Sequence, residues 1–167
     1  MDDTEEVAIP WVHNDGGYAG RTTKRGRFIP GNGVVRAIAI ATGGNYHDVY
    51  RELYRMQCDY VGALRSGRIK EKGAGIETVG VWPDVSKKYL LDRGWRWTPT
   101  MSIGSGTTMH LTYEEIPDRP LFIAKVSRNL VTVINGVVQD IADPSREGTR
   151  AVYGYYWPDW GAAGLGC

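Results

Sequence analysis

Side chains able to act as nucleophiles, general bases or metal ligands are scarce in this chain of 167 residues. It contains two cysteines, Cys58 and Cys167, and three histidines, His13, His47 and His110. Two thiols are too few for a zinc site made of cysteines alone, and the histidines and acidic residues show no ligand spacing. The sequence therefore predicts neither a metal nor a cofactor.

A helix that starts without a reactive side chain is the second feature of chemical interest. Residues 33–42 are a run of Val, Ile and Ala, predicted to form a buried helix directly after Gly31 and Asn32. A thiol in the first turn of a helix has a lowered pKa, because the unpaired N–H groups and the helix dipole favour the thiolate. Gly33 occupies that position, and glycine has no atom with which to attack a substrate.

A β-hairpin is predicted near the C-terminal end of the chain. Residues 121–134 and 137–142 are rich in β-branched side chains, and Asn135 and Gly136 separate them. Asn-Gly tolerates a positive φ at both positions, which a two-residue type I′ turn requires. The two runs should therefore pair directly, with Ile134 opposite the first residue of the second strand.

The register of this hairpin places polar residues near one another. Pairing out from the turn sets Val131 opposite Asp140, which brings Asn129 and Asp140 to one face as diagonal neighbours. A base and the carboxylate that orients it would lie in this way. Asp143 is the alternative carboxylate, although regular alternation sends it to the other face.

The elements that must position these residues belong to an α+β protein. Asn45 is expected to cap a second helix over residues 46–64, and Asp84 a third that ends at Leu91. Thr112 and Glu115 have the spacing of a capping box for a short fourth helix. The region from Gly67 to Gly80 is predicted to be a loop. Strands are predicted over 121–127, 129–134, 137–142 and 151–157.

Composition limits the classes of function. A chain with 42% hydrophobic residues can bury one core, and a net charge of +1 gives no field that would favour general nucleic-acid binding. The basic runs at 21–27 and 65–72 are interpreted as solvated loops. No segment approaches the roughly 20 apolar residues of a membrane span. The acidic start, residues 1–6, is unlike a secretory signal and suggests synthesis in the cytoplasm.

Six segments of the chain match one known family in order. They are Gly31–Gly43, Gly94–Met101, Ile103–Gly106, Val126–Val137, Asp143–Arg146 and Val152–Tyr155. Over most of residues 14–157 the chain thus resembles the small papain-like cysteine peptidases of phages and bacteria. In that family the corresponding run reads Gly-Asp-Cys followed by a helix rich in Ala and Ile, with the cysteine in the first turn of the helix.

The resemblance implies a papain-like fold, with N-terminal helices packed on a C-terminal antiparallel sheet. It also implies that Gly33 stands at the position of the catalytic cysteine and Asn129 at that of the histidine base. Asp140 then corresponds to the orienting carboxylate. Asn32 stands where the family usually has aspartate, and His110 is expected beside the cleft in a structural, hydrogen-bonding role.

These departures predict a pseudoenzyme that acts as a structural or protein-binding module. The resemblance further suggests a phage-encoded protein that belongs to a virion or a host-interaction assembly. One alternative is an active peptidase or amidase with an unusual nucleophile, but Cys58 falls in the middle of a predicted helix. The other is a small-molecule or anion binder that uses the vacated cleft and the helix N–H groups.

The sequence divides into an N-terminal arm at 1–13, a domain at 14–157 and a Gly-rich tail at 158–167. Ordering such a tail costs about 1–2 kcal/mol per residue in backbone entropy, so it needs compensating contacts. Trp160 and Leu165 are its large apolar residues. We expect both to be buried against another chain or, failing that, against the domain itself.

Overall fold

The computed structural model describes residues 7–22, 24–26, 28–29, 31–63, 76, 80–102, 104, 106–107 and 109–160. Three helices lie in these ranges, and the predicted α+β class is confirmed. They are α1 (Gly33–Thr42), α2 (Tyr46–Ala63) and α3 (Pro83–Leu91). The strands are β1 (Trp11–His13), β2 (Arg21–Thr22), β3 (Phe28–Ile29), β4 (Trp95–Pro99), β5 (Met101–Ser102), β6 (Gly106–Thr107), β7 (Leu121–Val126), β8 (Asn129–Ile134), β9 (Val137–Asp140) and β10 (Gly154–Pro158).

Six of the strands form one sheet in the order β1-β9-β8-β7-β10-β4. All neighbours in it are antiparallel except β1 and β9, which run parallel. The sheet is therefore mixed and draws its edge strand β1 from residues assigned above to an N-terminal arm. A three-residue strand could not be recognised in the sequence because its pairing partner lies more than a hundred residues away, with Asn14 donating to Asp140 at 2.9 Å.

The predicted hairpin between β8 and β9 is confirmed. Ile134 is paired with Val137, and Asn135 and Gly136 form the turn with φ values of 50° and 76°. Both turn residues thus have the positive φ of a type I′ turn. The register that follows was predictable because the turn fixes it locally.

Alternating side chains of the sheet pack into two separate apolar clusters. Leu130 and Ile123 face the helices and join the cluster that contains most of α1. Val131 and Phe122, the next residues along the same strands, join the cluster on the opposite face. The helices therefore cover one face only, and the other is covered in part by the segment around Leu111.

Helix boundaries agree with the sequence where capping is local and differ where it is not. Asn45 caps α2 by accepting the N–H of His47 at 2.9 Å. Asp84 does not cap α3: Pro83 takes the first helical position after Trp82, whose side chain makes no capping hydrogen bond. Proline suits that position because it has no N–H to satisfy. Asp84 lies in the first turn of α3 and accepts the hydroxyl of Tyr60 at 2.7 Å.

The predicted fourth helix at residues 112–115 is only a turn. Its capping box fails because the Glu115 carboxylate accepts both the backbone N–H and Nδ1 of His110. The Thr112 hydroxyl is buried without a hydrogen-bond partner. Glu115 thus bonds to a residue five positions before it and not to the residue three positions before it.

Several predictions fall on residues outside the described ranges, among them Leu165, Cys167 and the basic run at 65–72. Most of the predicted loop from Gly67 to Gly80 lies there too. Trp160 is described, and 59% of it is exposed. The expectation that Trp160 packs against its own domain is therefore wrong, and its burial against another chain stays a prediction.

Candidate functional site at the start of helix α1

The first turn of α1 is capped by the residue before it. Asn32 has extended φ and ψ values of −94° and 126°, and its side-chain oxygen accepts the N–H groups of Val34 and Val35 at 2.9 and 3.2 Å. Its own N–H donates to the Tyr46 hydroxyl at 2.8 Å, which ties the helix start to α2. Two of the N–H groups that a helix leaves unpaired are thereby satisfied within the chain.

Gly33, the first residue of α1, lies against the side chain of Asn129. A Cβ added to Gly33 would stand 2.9 Å from Nδ2 and 3.0 Å from Cγ of Asn129, and closer still to its Oδ1. Such distances are shorter than a carbon atom tolerates, so a side chain at position 33 requires Asn129 to move. The structure thus brings together the two positions that the sequence singled out, and it leaves no gap between them.

The position of Asn129 follows from a second tight turn. Ser127 and Arg128 connect β7 to β8, with Arg128 at a φ of 60° and Val126 paired with Asn129. Asn129 is therefore the first residue of β8 and is half-buried at the end of the strand. A strand end next to a helix start is where a short side chain can bridge the two elements.

Asp140 is engaged by α1 one turn further along. Its Oδ1 accepts Nε of Arg36 at 3.0 Å and lies 2.9 Å from Nη2 of the same side chain. The side chains are only 8% and 10% exposed. Oδ1 also accepts the N–H of Ile141 at 2.7 Å. The carboxylate thus holds a buried guanidinium in place, a role that needs no imidazole.

A further polar contact fixes the helix on the sheet. The hydroxyl of Thr132, in the middle of β8, donates to the backbone C=O of Ala37 at 2.6 Å, and Thr132 is fully buried. Together with the contacts of Asn129 and Asp140, this bond holds α1 against β8 and β9 at three successive levels. The relative placement of the helix start and the strand end is therefore rigidly defined.

His110 lies in the segment between Met109 and Leu111. Its neighbours Met109 and Leu111 belong to the apolar cluster on the sheet face away from α1. Its Nδ1 lies 2.8 Å from the Glu115 carboxylate, and its backbone pairs with Ala151. Within the described residues, the polar side-chain contact of His110 is thus with Glu115.

The two remaining chemical candidates, Asp143 and Cys58, lie in other segments of the chain. Asp143 is exposed and accepts the N–H of Ser145 at 2.8 Å, which closes a local turn. Cys58 is a free, half-buried cysteine within α2. Among the described residues, no three His, Cys, Asp or Glu side chains converge in a way that could hold a metal ion. No helix in the described ranges has the length and apolarity needed to cross a membrane.

Arg36 is the functional neighbour that sequence reasoning missed. It interrupts the apolar run of α1, and it is 6% exposed. A single cation in a helix that is otherwise buried indicates an acidic partner, because an unpaired charge in the interior is too costly. That signal was present in the sequence, but nothing local identified Asp140 as the partner.

Comparisons of the chain with models of known families, with curated proteins and with solved structures find no match. Inference about function therefore rests on the geometry at the start of α1 and on the resemblance noted in the sequence.

Proposed function

We propose that the chain is a papain-like domain without peptidase activity that serves as a structural or protein-binding module. The observation that carries the proposal is the contact between Gly33 and Asn129. A nucleophile and its base require a side chain on each element, separated by hydrogen-bond distance. Here the helix contributes no side chain, and the amide of Asn129 fills the space that one would occupy.

The state of Asp140 supports the same conclusion. A carboxylate in a catalytic triad accepts a hydrogen bond from the imidazole and stabilises its cation. Asp140 instead pairs with Arg36, a cation that cannot be deprotonated in a protein. The polar groups around the start of α1 therefore stabilise the packing of helix on sheet.

Both alternatives receive less support from the geometry. An active hydrolase would need another nucleophile near the helix start, and Cys58 lies within α2. An anion binder would need unpaired helix N–H groups, but those of Val34 and Val35 are already capped by Asn32. A phage origin and a place in a virion rest on the sequence resemblance alone.

The proposal is tested first by the activity of the purified protein. We expect no hydrolysis of peptide or amide substrates above the buffer blank and no labelling of Cys58 by a thiol-directed covalent probe. Mapping of the modified peptide distinguishes labelling of Cys58 from labelling of Cys167, which does not count. Hydrolysis that disappears in Cys58→Ala would overturn the proposal.

A gain-of-function variant tests the papain-like geometry itself. In a background of Cys58→Ser and Cys167→Ser, Gly33→Cys with Asn129→His should create a thiol whose pKa is below the usual value of about 8.5. The rate of alkylation by iodoacetamide as a function of pH measures that pKa. Gly62→Cys in the same background is the matched control, since a Cβ at Gly62, in α2, meets nothing within 4 Å. Equal thiol pKa values in the two variants would contradict the assignment.

A further inference from the structure

The loop of residues 143–150 packs against the turn between β7 and β8. Arg150 donates its backbone N–H to the C=O of Ser145 at 2.9 Å and its Nη2 to the C=O of Ser127, also at 2.9 Å. The loop is thereby held at the end of the sheet that lies next to the start of β8. We call residues 127–128 and 143–150 the arginine corner, because it contains Arg128, Arg146 and Arg150.

Arg150 is a half-buried cation without an acidic partner. Within the described residues no carboxylate forms an ion pair with it, and its Nε is buried without a hydrogen-bond partner. Arg36, by contrast, is buried against the carboxylate of Asp140. A charge taken out of water needs a partner of opposite sign. The fold supplies that partner to Arg36 and not to Arg150.

Arg146 brings a second positive charge to the same place. Burial, and after it the charge of Arg146, lowers the pKa of the Arg150 guanidinium, because the two cations lie close together. Tyr153 and Asp140 act in the opposite direction, but the Asp140 carboxylate is already held by Arg36. Arg146 is exposed, and its side chain forms no ion pair within the described part of the chain. Two neighbouring cations favour the binding of an anion between them.

The backbone of the loop holds Arg146 in a defined position. Arg146, Glu147 and Gly148 have φ values of 52°, 58° and 84°, so three successive residues are left-handed. Thr149 closes the turn by donating its N–H and its Oγ1 to the C=O of Arg146, at 3.1 and 2.7 Å. A loop that is already ordered loses little conformational freedom when it binds a ligand.

The acids of the loop do not neutralise these cations. Asp143 accepts the N–H of Ser145 at 2.8 Å, Glu147 is exposed, and neither carboxylate forms an ion pair with a described residue. Ser145 is fully buried, and its hydroxyl, like Nε of Arg150, is a donor without a hydrogen-bond partner among the described residues. The unsatisfied groups of the corner are therefore cations and donors, which suit an anion with several acceptor oxygens.

We infer that the arginine corner binds a phosphate group between the guanidinium groups of Arg146 and Arg150. A guanidinium presents its N–H donors in a planar fork that matches two phosphate oxygens. A phosphate monoester carries about −1.5 to −2 charges at pH 7, so one ligand can offset both arginines. The inference goes beyond the proposed function and does not depend on it. An inactive protein that binds no phosphate would overturn this inference alone, and an active peptidase that binds phosphate would overturn the proposed function alone.

The first test measures the binding of inorganic phosphate by titration calorimetry at constant ionic strength. We expect saturable binding, and Arg146→Gln and Arg150→Gln should each raise Kd by at least about tenfold, because each removes charged hydrogen bonds. Arg55→Gln is the matched control, since Arg55 is also exposed but lies in α2, and it should leave Kd unchanged. Wild-type protein without saturable binding, or an equal loss in all three variants, would refute the inference.

Folding of the variants is checked by circular dichroism, because Arg150→Gln also loses the bond to Ser127. Arg146→Gln removes an exposed side chain that forms no ion pair with a described residue, so it should fold like the wild type. It decides the test even if Arg150→Gln unfolds. A folded Arg146→Gln protein that binds phosphate as tightly as the wild type would refute the site.

The second test identifies the source of the phosphate group. Similar Kd values for phenyl phosphate and inorganic phosphate would assign the site to a phosphate carried by a larger molecule, and binding of inorganic phosphate alone would assign it to the free ion. Acetate, with one charge and two oxygens, should bind at least about tenfold more weakly. Acetate binding as tight as that of phosphate would overturn the assignment to phosphate.

The third test uses pH to count the charges that the corner recognises. The second pKa of a phosphate monoester is about 6, whereas both arginines stay charged. Because the dianion should bind more tightly, the Kd of phenyl phosphate, or of inorganic phosphate if only the free ion binds, should be smaller at about pH 7.5 than at about pH 5. An identical Kd at the two pH values would contradict binding between two cations.

Discussion

Gly33 and Gly154 both lie where the fold has no room for a side chain, but different groups occupy that room. At Gly33, on α1, the neighbour is the amide end of Asn129. At Gly154, on β10, the neighbours are the indole ring of Trp97 and the backbone C=O of Thr98, 2.8 Å from an added Cβ. An amide can rotate away, whereas a packed indole and a strand backbone cannot move without disturbing the sheet.

This difference separates a glycine that the fold requires from one that it merely accommodates. The rings of Trp97 and Tyr156 pack at a tilt of 48° with centroids 4.6 Å apart, so the space over Gly154 is filled by packed aromatic side chains. The space over Gly33 is filled by one side chain that belongs to neither apolar cluster. Changes at only two positions, Gly33 and Asn129, would alter this contact.

The largest expected effect on stability concerns the ion pair of Arg36 and Asp140, near the contact between Gly33 and Asn129. Asp140→Ala should lower the free energy of unfolding by about 3–5 kcal/mol, because the buried Arg36 loses its carboxylate. Urea denaturation followed by circular dichroism measures the change. Asp92→Ala is the control, since the pair of Asp92 with Lys88 is exposed and should be worth less than about 1 kcal/mol. Similar losses in both variants would remove the structural role assigned to Asp140.

A substitution at Gly154 should have the next largest effect on stability. Gly154→Ala is expected to cost about 2–3 kcal/mol, near the upper end for overpacking, because neither Trp97 nor the β4 backbone can yield. The same denaturation experiment measures it. Combining it with Trp97→Leu should cost less than the sum of the two single changes. Strict additivity would mean that the indole is not what excludes the side chain.

A substitution at Gly33 should destabilise the protein less than one at Gly154. Gly33→Ala is expected to destabilise by about 1 kcal/mol, and the penalty should vanish in an Asn129→Ala background, giving a coupling energy of about 1 kcal/mol. Gly62→Ala is the matched control in a helix, where open space means that alanine stabilises by about 0.5–1 kcal/mol. If Gly33→Ala stabilises the protein as much as the control does, Asn129 does not exclude a side chain at position 33.

The last expected effect is a pH dependence of stability above pH 10.0, at Tyr156 beside Trp97. Burial raises the pKa of Tyr156 from 10.0 to about 12. Because the folded-state pKa is the higher one, this tyrosine's contribution to stability is complete below pH 10.0 and is lost as the pH rises toward about 12. Wild-type protein should therefore lose more stability than Tyr156→Phe over that interval, as measured by urea denaturation at each pH. Parallel curves would show that the hydroxyl is not desolvated.

Much of the local structure could be predicted from the sequence. The Asn135-Gly136 turn and the start of α1 at Gly33 are set by residues adjacent in the chain, through preferred φ values and an asparagine cap. Such preferences act over a few residues, so they can be recognised in the sequence without knowing the fold. They do not pair Gly33 with Asn129, which only the family resemblance did.

Other features depended on contacts that no local pattern records. Strand β1 is an example, because it forms by pairing with β9, more than a hundred residues away. His110 was expected beside the cleft, but its neighbours Met109 and Leu111 pack on the sheet face away from α1, a placement that no local pattern records.

For the candidate site, the sequence by itself determined which side chains are available: none at Gly33, an amide at Asn129 and a carboxylate at Asp140. Only the tertiary structure decided that the amide fills the space at Gly33 and that the carboxylate pairs with Arg36, 104 residues away in sequence. The reason is that such contacts depend on differences of a few tenths of an ångström in how a helix lies on a sheet. That placement is set by the packing of the whole core.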